Sequence, residues 1–236
     1  MRKWTVILIG SMLLLQGCNS NNSDELTQPE KEREVMHEGL DEQLIEAVER
    51  EDTDVVSNLI KEGVDINAQD SKQRTATMIA TYNNDVSTAK VLIEAGADVN
   101  IQDDMLNNPF LYAGAEGYLE ILKLIIQAGA DPTITNRYGG TALIPASEHG
   151  YIDVVNELLT NTDIDVNHIN DLGWTALLEA IILGNGSNKQ QQTIQLLIEH
   201  GADVSIPDSN KVSPLTHAQE RGFKEIEETL LSAGAK

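Results

Sequence analysis

One short ending returns along this chain at a nearly fixed interval. Glu94-Ala95-Gly96-Ala97-Asp98-Val99-Asn100 recurs as Gly63-Val64-Asp65-Ile66-Asn67, Gly129-Ala130-Asp131-Pro132, Asp163-Ile164-Asp165-Val166-Asn167 and Gly201-Ala202-Asp203-Val204-Ser205. Asp65, Asp98, Asp131, Asp165 and Asp203 stand 33, 33, 34 and 38 residues apart. Such a period means one supersecondary unit copied in tandem. No helix pair of that size buries its apolar side alone, so neighbours must stack into a quasi-one-dimensional array.

The period divides residues 37–236 into units 37–69, 70–102, 103–135, 136–169, 170–207 and 208–236. Inside each, apolar residues recur at helical spacing in two stripes, as with Leu40, Leu44, Ala47 and Val48 and then Val55, Val56, Leu59 and Ile60 in the first unit. Thr75, Asn108, Thr141, Thr175 and Ser213 stand where a first helix needs its free amides capped. Gly96 is suited to the left-handed conformation that ends a second helix. Pro145 falls inside the first helix of the fourth unit and predicts a bend or a shortened helix. The run 184–192, GNGSNKQQQ, predicts a longer loop between the two helices of the fifth unit.

These pieces resemble the ankyrin repeat. Its turn, Thr-Pro-Leu-His start, glycine loop, paired leucines and Gly-Ala-Asp ending correspond to Thr75-Ala76-Thr77-Met78, Asn108-Pro109-Phe110-Leu111, Thr141-Ala142-Leu143-Ile144, Thr175-Ala176-Leu177-Leu178 and Ser213-Pro214-Leu215-Thr216. The apolar pairs are Leu59/Ile60, Leu92/Ile93, Ile125/Ile126, Leu158/Leu159, Leu197/Ile198 and Leu230/Leu231. The sequence departs from the pattern in lacking the histidine, in Thr77 in place of leucine, and in Asn84 in place of the loop glycine. The resemblance implies an all-α solenoid of about six helix-turn-helix units with protruding turns, whose first helices and turn tips line a concave face.

The first residues carry a different signal. Met1-Arg2-Lys3-Trp4, an apolar run from Thr5 to Leu15 and then Gln16-Gly17-Cys18 have the parts of a secretory signal, residues 1–17. Leu15-Gln16-Gly17-Cys18 resembles a bacterial lipobox, which implies cleavage before Cys18 and attachment of acyl chains, palmitate among them, to that residue. The expected location is the extracytoplasmic face of a bacterial membrane, held by lipid. Residues 18–36 are polar and charged and predict a disordered tether. Cys18 is the one cysteine, which rules out an internal disulfide.

Charge narrows the partner. The chain carries a formal net −22, and loss of Arg2 and Lys3 with the signal leaves −24. That field repels nucleic acid and favours cationic partners. No nucleophile elbow, phosphate-binding loop, zinc helix motif or calcium loop is present. The histidines His37, His149, His168, His200 and His217 are scattered without ligand spacing, and the periodic aspartates read as once-per-unit turn and amide caps. The expectation is therefore no enzyme, no cofactor and no metal.

Binding is then expected at the positions that vary between units. Tyr82, Met105, Tyr138, Leu172, Trp174, Ile182 and Leu183 stand, by register, at turn tips and exposed places of the first helices, with Tyr138 and Trp174 as aromatic anchors. Ile182 and Leu183 are candidates for cover by the 184–192 loop. The leading expectation is a monomeric repeat domain, membrane-anchored through lipid on Cys18, that binds a protein partner on its concave face. The alternatives are an acidic envelope module for small cationic or divalent-metal ligands, and an immunity or protective factor for a cognate effector.

Overall fold

A computed structural model describes residues 28–236, with side chains from residue 39 onward. The expected signal segment, Cys18 and the first part of the tether lie outside the described residues. The described residues form twelve helices: α1 Gln28–Glu49, α2 Thr53–Glu62, α3 Ala76–Tyr82, α4 Val86–Glu94, α5 Pro109–Glu116, α6 Leu119–Gln127, α7 Leu143–His149, α8 Ile152–Asn161, α9 Ala176–Ile182, α10 Asn188–Glu199, α11 Pro214–Glu220 and α12 Lys224–Ser232. Among the described residues the only β pairing is an isolated bridge between Gln69 and Thr75.

The helices form two stacked rows. The odd-numbered helices α1 to α11 pack in chain order as the inner row, the even-numbered helices pack likewise as the outer row, and each pair closes on itself. The apolar pairs divide their work between these layers. Leu59, Leu92, Ile125, Leu158, Leu197 and Leu230 are buried in the core, whereas Ile60, Ile93, Ile126, Leu159 and Ile198 pack at its edge. Leu231, the corresponding member of the sixth pair, is exposed.

α1 starts at Gln28, so its first nine residues lie in the segment expected to be a tether. The run Pro29-Glu30-Lys31-Glu32-Arg33-Glu34 has too little apolar content for a core, but its residues are good helix formers behind a proline suited to a first turn.

Side-chain capping starts most inner helices. Thr75 Oγ1 accepts from Met78 N, Asn108 Oδ1 from Leu111 N, Thr175 Oγ1 from Leu178 N and Ser213 Oγ from Thr216 N. Thr141 does not cap; its buried hydroxyl has no partner, and Ile144 N instead donates to the Thr141 carbonyl. α7 begins at Leu143, so Pro145 occupies its third position. Amides of the first turn have no intrahelical acceptor, and the proline therefore starts the helix late without breaking it.

The periodic aspartates cap within their own turns, and the residue two further on often joins the units. Asp98 Oδ1 accepts from Asn100 N, and Asn100 Oδ1 accepts from Asp131 N in the next unit. Asn67 and Asn167 do the same for Asp98 N and Asp203 N, each at 2.8 Å. The Thr133 and Ser205 hydroxyls donate to Asp131 and Asp203 and hold those carboxyls below the ordinary range.

A second set of Asx residues shapes the protruding turns. Oδ1 of Asp70, Asp103, Asn136, Asn170 and Asp208 accepts from the amides two and four residues ahead, folding each tip around one oxygen. The fourth residue of every such turn takes a positive φ: Gln73, Leu106, Gly139, Gly173 and Lys211. Leu106, at φ 56°, is the least suited of the five. Leu106→Gly is expected to raise stability by about 0.5–1 kcal/mol, because relief of left-handed strain outweighs the backbone entropy of glycine. A higher urea midpoint at unchanged slope is the expected reading, and a lower midpoint would contradict it.

The 184–192 run is mostly helix rather than loop. Its extra residues lengthen α10 to 12 residues, against 9 or 10 in the other outer helices. Buried Gln190 Nε2 donates to the Ser147 carbonyl at 2.7 Å, and Arg221 Nη2 donates to the Gly184 carbonyl at 2.7 Å. Tied down at both ends, the insertion does not cover Leu183, which is 48% exposed.

Candidate protein-binding face

Stacking at a constant period turns equivalent turn residues into a row. The third residues of successive turns are Lys72, Met105, Tyr138, Leu172 and Asn210, and the three apolar members are 43%, 54% and 51% exposed. Arg137 stiffens part of this row: its guanidinium carbon lies 4.9 Å from the Tyr138 ring centroid, and its Nη1 is 3.5 Å from Met105 Sδ. Three exposed apolar side chains in register on rigid tips form a contact surface that water does not favour.

The other expected site residues sit lower. Trp174 is half-buried, with its backbone paired to Asn170, so it forms the base of the fifth turn rather than a free tip. Ile182 is half-buried at the end of α9, where its carbonyl accepts from Arg221 Nη1. Tyr82 is also half-buried: its hydroxyl donates to Asp103 Oδ2 at 2.6 Å, and its ring meets Tyr112 edge-on at 4.3 Å between centroids. Burial and the Asp103 bond push that phenol up to about 12. Tyr82 thus braces the third turn, which presents Met105.

The crease between the turns and the inner helices holds a feature that the sequence reading missed. Glu179 on α9 is 8% exposed, and its Oε2 accepts from Asn170 Nδ2 at 3.3 Å. Burial pushes its carboxyl up to about 7, the Glu148 carboxylate on α7 adds to the rise, and the Asn170 amide opposes it. The equivalent places in the other units hold Ile79, Tyr112, Pro145 and His217. A carboxylate in an otherwise neutral or basic row of the inner helices was the signal available in the sequence.

Three of the histidines serve the frame. His168 Nε2 bonds the Gly139 carbonyl, His200 Nδ1 the Leu196 carbonyl, and His217 Nε2 the Asp208 carboxylate at 3.0 Å. No hydroxyl bonds the other ring nitrogen of His217 among the described residues, so this pair does not extend to a nucleophile. Among the described residues no group of three or more His, Cys, Asp or Glu side chains is gathered to hold a metal ion. Open hollows of about 460 and 510 Å³ lie between outer helices, lined by residues such as Gln195, Glu199 and Thr229, away from the turn tips.

Comparison with known proteins agrees with this architecture. The family model for ankyrin repeats in three copies matches residues 12–103, 44–136, 110–208 and 143–236. The ankyrin repeat protein YahD of Escherichia coli (strain K12) is 53% identical over 81 residues, which are 34% of this chain and 40% of YahD, so the chain matches well under half of that relative's length. A crystallised ankyrin repeat domain from Acinetobacter baumannii AYE superposes with a TM-score of 0.80 at 48% identity, covering 82% of this chain and 98% of that one. The ankyrin repeat protein EF0377 gives a TM-score of 0.78 at 39% identity, with 82% and 97% covered. The ankyrin repeat domain of Bcl-3, at 24% identity and a TM-score of 0.73 over 82% and 86%, shares the fold. Two helical rows, Asx-built turns, a step of 33 to 38 residues and matches running through every unit make one conclusion: this chain belongs to the ankyrin repeat family.

Proposed function

We propose that this protein is a non-enzymatic scaffold, anchored by lipid on Cys18 to the extracytoplasmic face of a bacterial membrane, that captures a protein partner with the tips and crease of its third to fifth units. Ankyrin repeats generally mediate protein–protein interaction, and that is the class of function carried by the family. The observation that carries the reading here is the exposed row Met105, Tyr138 and Leu172, because equivalent positions at the two ends of the array hold the polar Lys72 and Asn210. A partner seated on the middle of the array buries apolar side chains there and leaves the ends in water.

The anchoring part rests on Leu15-Gln16-Gly17-Cys18 and the basic and apolar residues before it. Among the described residues no helix is long and apolar enough to cross a membrane. The test is crosslinked co-purification from the host. The double variant Tyr138→Ala, Leu172→Ala is expected to lose partner capture by tenfold or more, about 1.4 kcal/mol or above, while keeping its circular dichroism spectrum. Unchanged capture by the folded variant would defeat the face assignment. Cys18→Ser is expected to move the protein out of the membrane fraction, and its retention there would defeat the anchor.

A further inference from the structure

Glu179 is an expensive residue with no structural need for its charge. Glu179 is 8% exposed as a residue, Oε2 takes one long bond from Asn170, and no described residue donates to Oε1. The fold closes the same place with Tyr112, Pro145 or His217 in neighbouring units, so an uncharged side chain would serve the packing. A buried carboxylate is costly unless it is paired. The Glu148 carboxylate repels it, which makes the cost greater.

The position of this unpaired charge is what gives it meaning. Asn170 bonds Glu179 with its amide and, with its Oδ1, folds the turn that carries Leu172 and Trp174. The carboxylate is therefore joined by a single side chain to the apolar tips of the proposed binding face. The charged and titratable groups on the elements packed against α9 include Glu148 and His149 of α7, Glu220 and His217 of α11 with the latter on Asp208, Lys189 of α10 against Gly150, and Arg221 after α11, whose guanidinium is bonded to the Ile182 and Gly184 carbonyls at the far end of α9.

We infer that Glu179, with Glu148 beside it, is the seat for a cationic side chain, arginine or lysine, projecting from an apolar segment of the partner protein that lies across Tyr138 and Leu172. This rests on the proposed protein-binding face and specifies what it accepts. The occupant is chosen by charge complementarity: a basic side chain supplies the donor that Glu179 Oε1 lacks, and its apolar neighbours meet the exposed tips. The net −22 of the chain draws such a segment in, and the crease selects it at short range.

The seat carries a pH dependence of defined sign. With its folded value raised to about 7, Glu179 holds a proton below neutrality and must release it to pair with a cation. Cation binding therefore strengthens from pH 6 to pH 8 and levels off above. The Glu179→Gln control isolates the part of this dependence that belongs to the carboxylate.

The probes are synthetic pentapeptides with a central arginine between leucines, and the same peptide with citrulline, which keeps the shape and removes the charge. Calorimetry on the detergent-solubilised full chain at moderate salt is expected to give at least about tenfold tighter binding of the arginine peptide at pH 8. The ratio should shrink at pH 6, with a proton released on binding near pH 7. Glu179→Gln changes the net charge by only one unit, so general attraction survives while the ratio falls to about one and the citrulline peptide binds as before. A ratio that persists in the variant, or no saturable binding of the arginine peptide, overturns the inference. Saturable calcium binding abolished by Glu179→Gln assigns the pair to a metal and also overturns it. Partner capture lost in the Tyr138→Ala, Leu172→Ala variant but intact in Glu179→Gln keeps the binding face and removes the cation seat. Capture intact in both removes both.

Discussion

Phe110→Ala is expected to lower the stability of the array by about 3–5 kcal/mol, the range for emptying a buried aromatic site. Phe110 is fully buried near the start of α5. Its equivalents are Thr77, Leu143, Leu177 and Leu215, so a large ring beside Thr77 offsets the smallest member of that row. The array is one unit thick at every point, and α5 packs on α3 to one side and α7 to the other. A hole there loosens two interfaces at once, with no second core to share the loss. The expected reading is a large fall in the urea midpoint, with hydrogen exchange accelerated most in α3 to α6. A loss under about 1 kcal/mol would mean that neighbouring side chains collapse into the space.

How much of this was legible in the sequence depends on whether a feature is periodic. The Gly-Ala-Asp ending, the paired apolar residues and the cap positions recur with the period, and the structure places them as read except at Thr141, which does not cap; Asn84 takes the left-handed φ of 53° where units three, four and six have Gly117, Gly150 and Gly222. The turn-building set Asp70, Asp103, Asn136, Asn170 and Asp208 carries the same period and was equally available, though it lay behind the more conspicuous aspartates.

What escaped the sequence depends on contacts between units. Pro145 is harmless because α7 starts one residue later than its equivalents, which follows from the uncapped Thr141 and not from the proline alone. The extra residues of unit five read as loop from their Gly, Asn and Ser content, yet Gln190 reaches Ser147 in the previous unit and draws them into helix. Of the expected binding residues, Met105, Tyr138, Leu172 and Leu183 are exposed, whereas Tyr82, Trp174 and Ile182 are half-buried by neighbours that periodicity does not describe. Glu179 was hidden for the opposite reason: a glutamate in a short helix passes as solvated until the stack closes over it.

Gly184→Ala is expected to cost about 3 kcal/mol, at or above the upper end of ordinary overpacking. A Cβ at this position would stand 2.1 Å from the Ala180 carbonyl oxygen and 2.7 and 2.8 Å from Cδ and Cγ of Gln190. The first contact is with helix backbone, which cannot rotate away. The second is with a side chain already held by Ser147, so relief there sacrifices the bond that ties the insertion to unit four. Arg221 adds a third constraint by donating to the Gly184 carbonyl. The aligned Gly222 provides the comparison, since a Cβ there meets nothing within 4 Å and the only penalty is its φ of +68°. Gly222→Ala should therefore lose only about 1 kcal/mol, the cost of the left-handed region. Urea titrations of the two variants separate these causes, with hydrogen exchange in Gly184→Ala rising at the α9–α10 junction. Equal losses at both positions would show that backbone conformation alone sets the requirement, and that the insertion is not held by the close packing around Gly184.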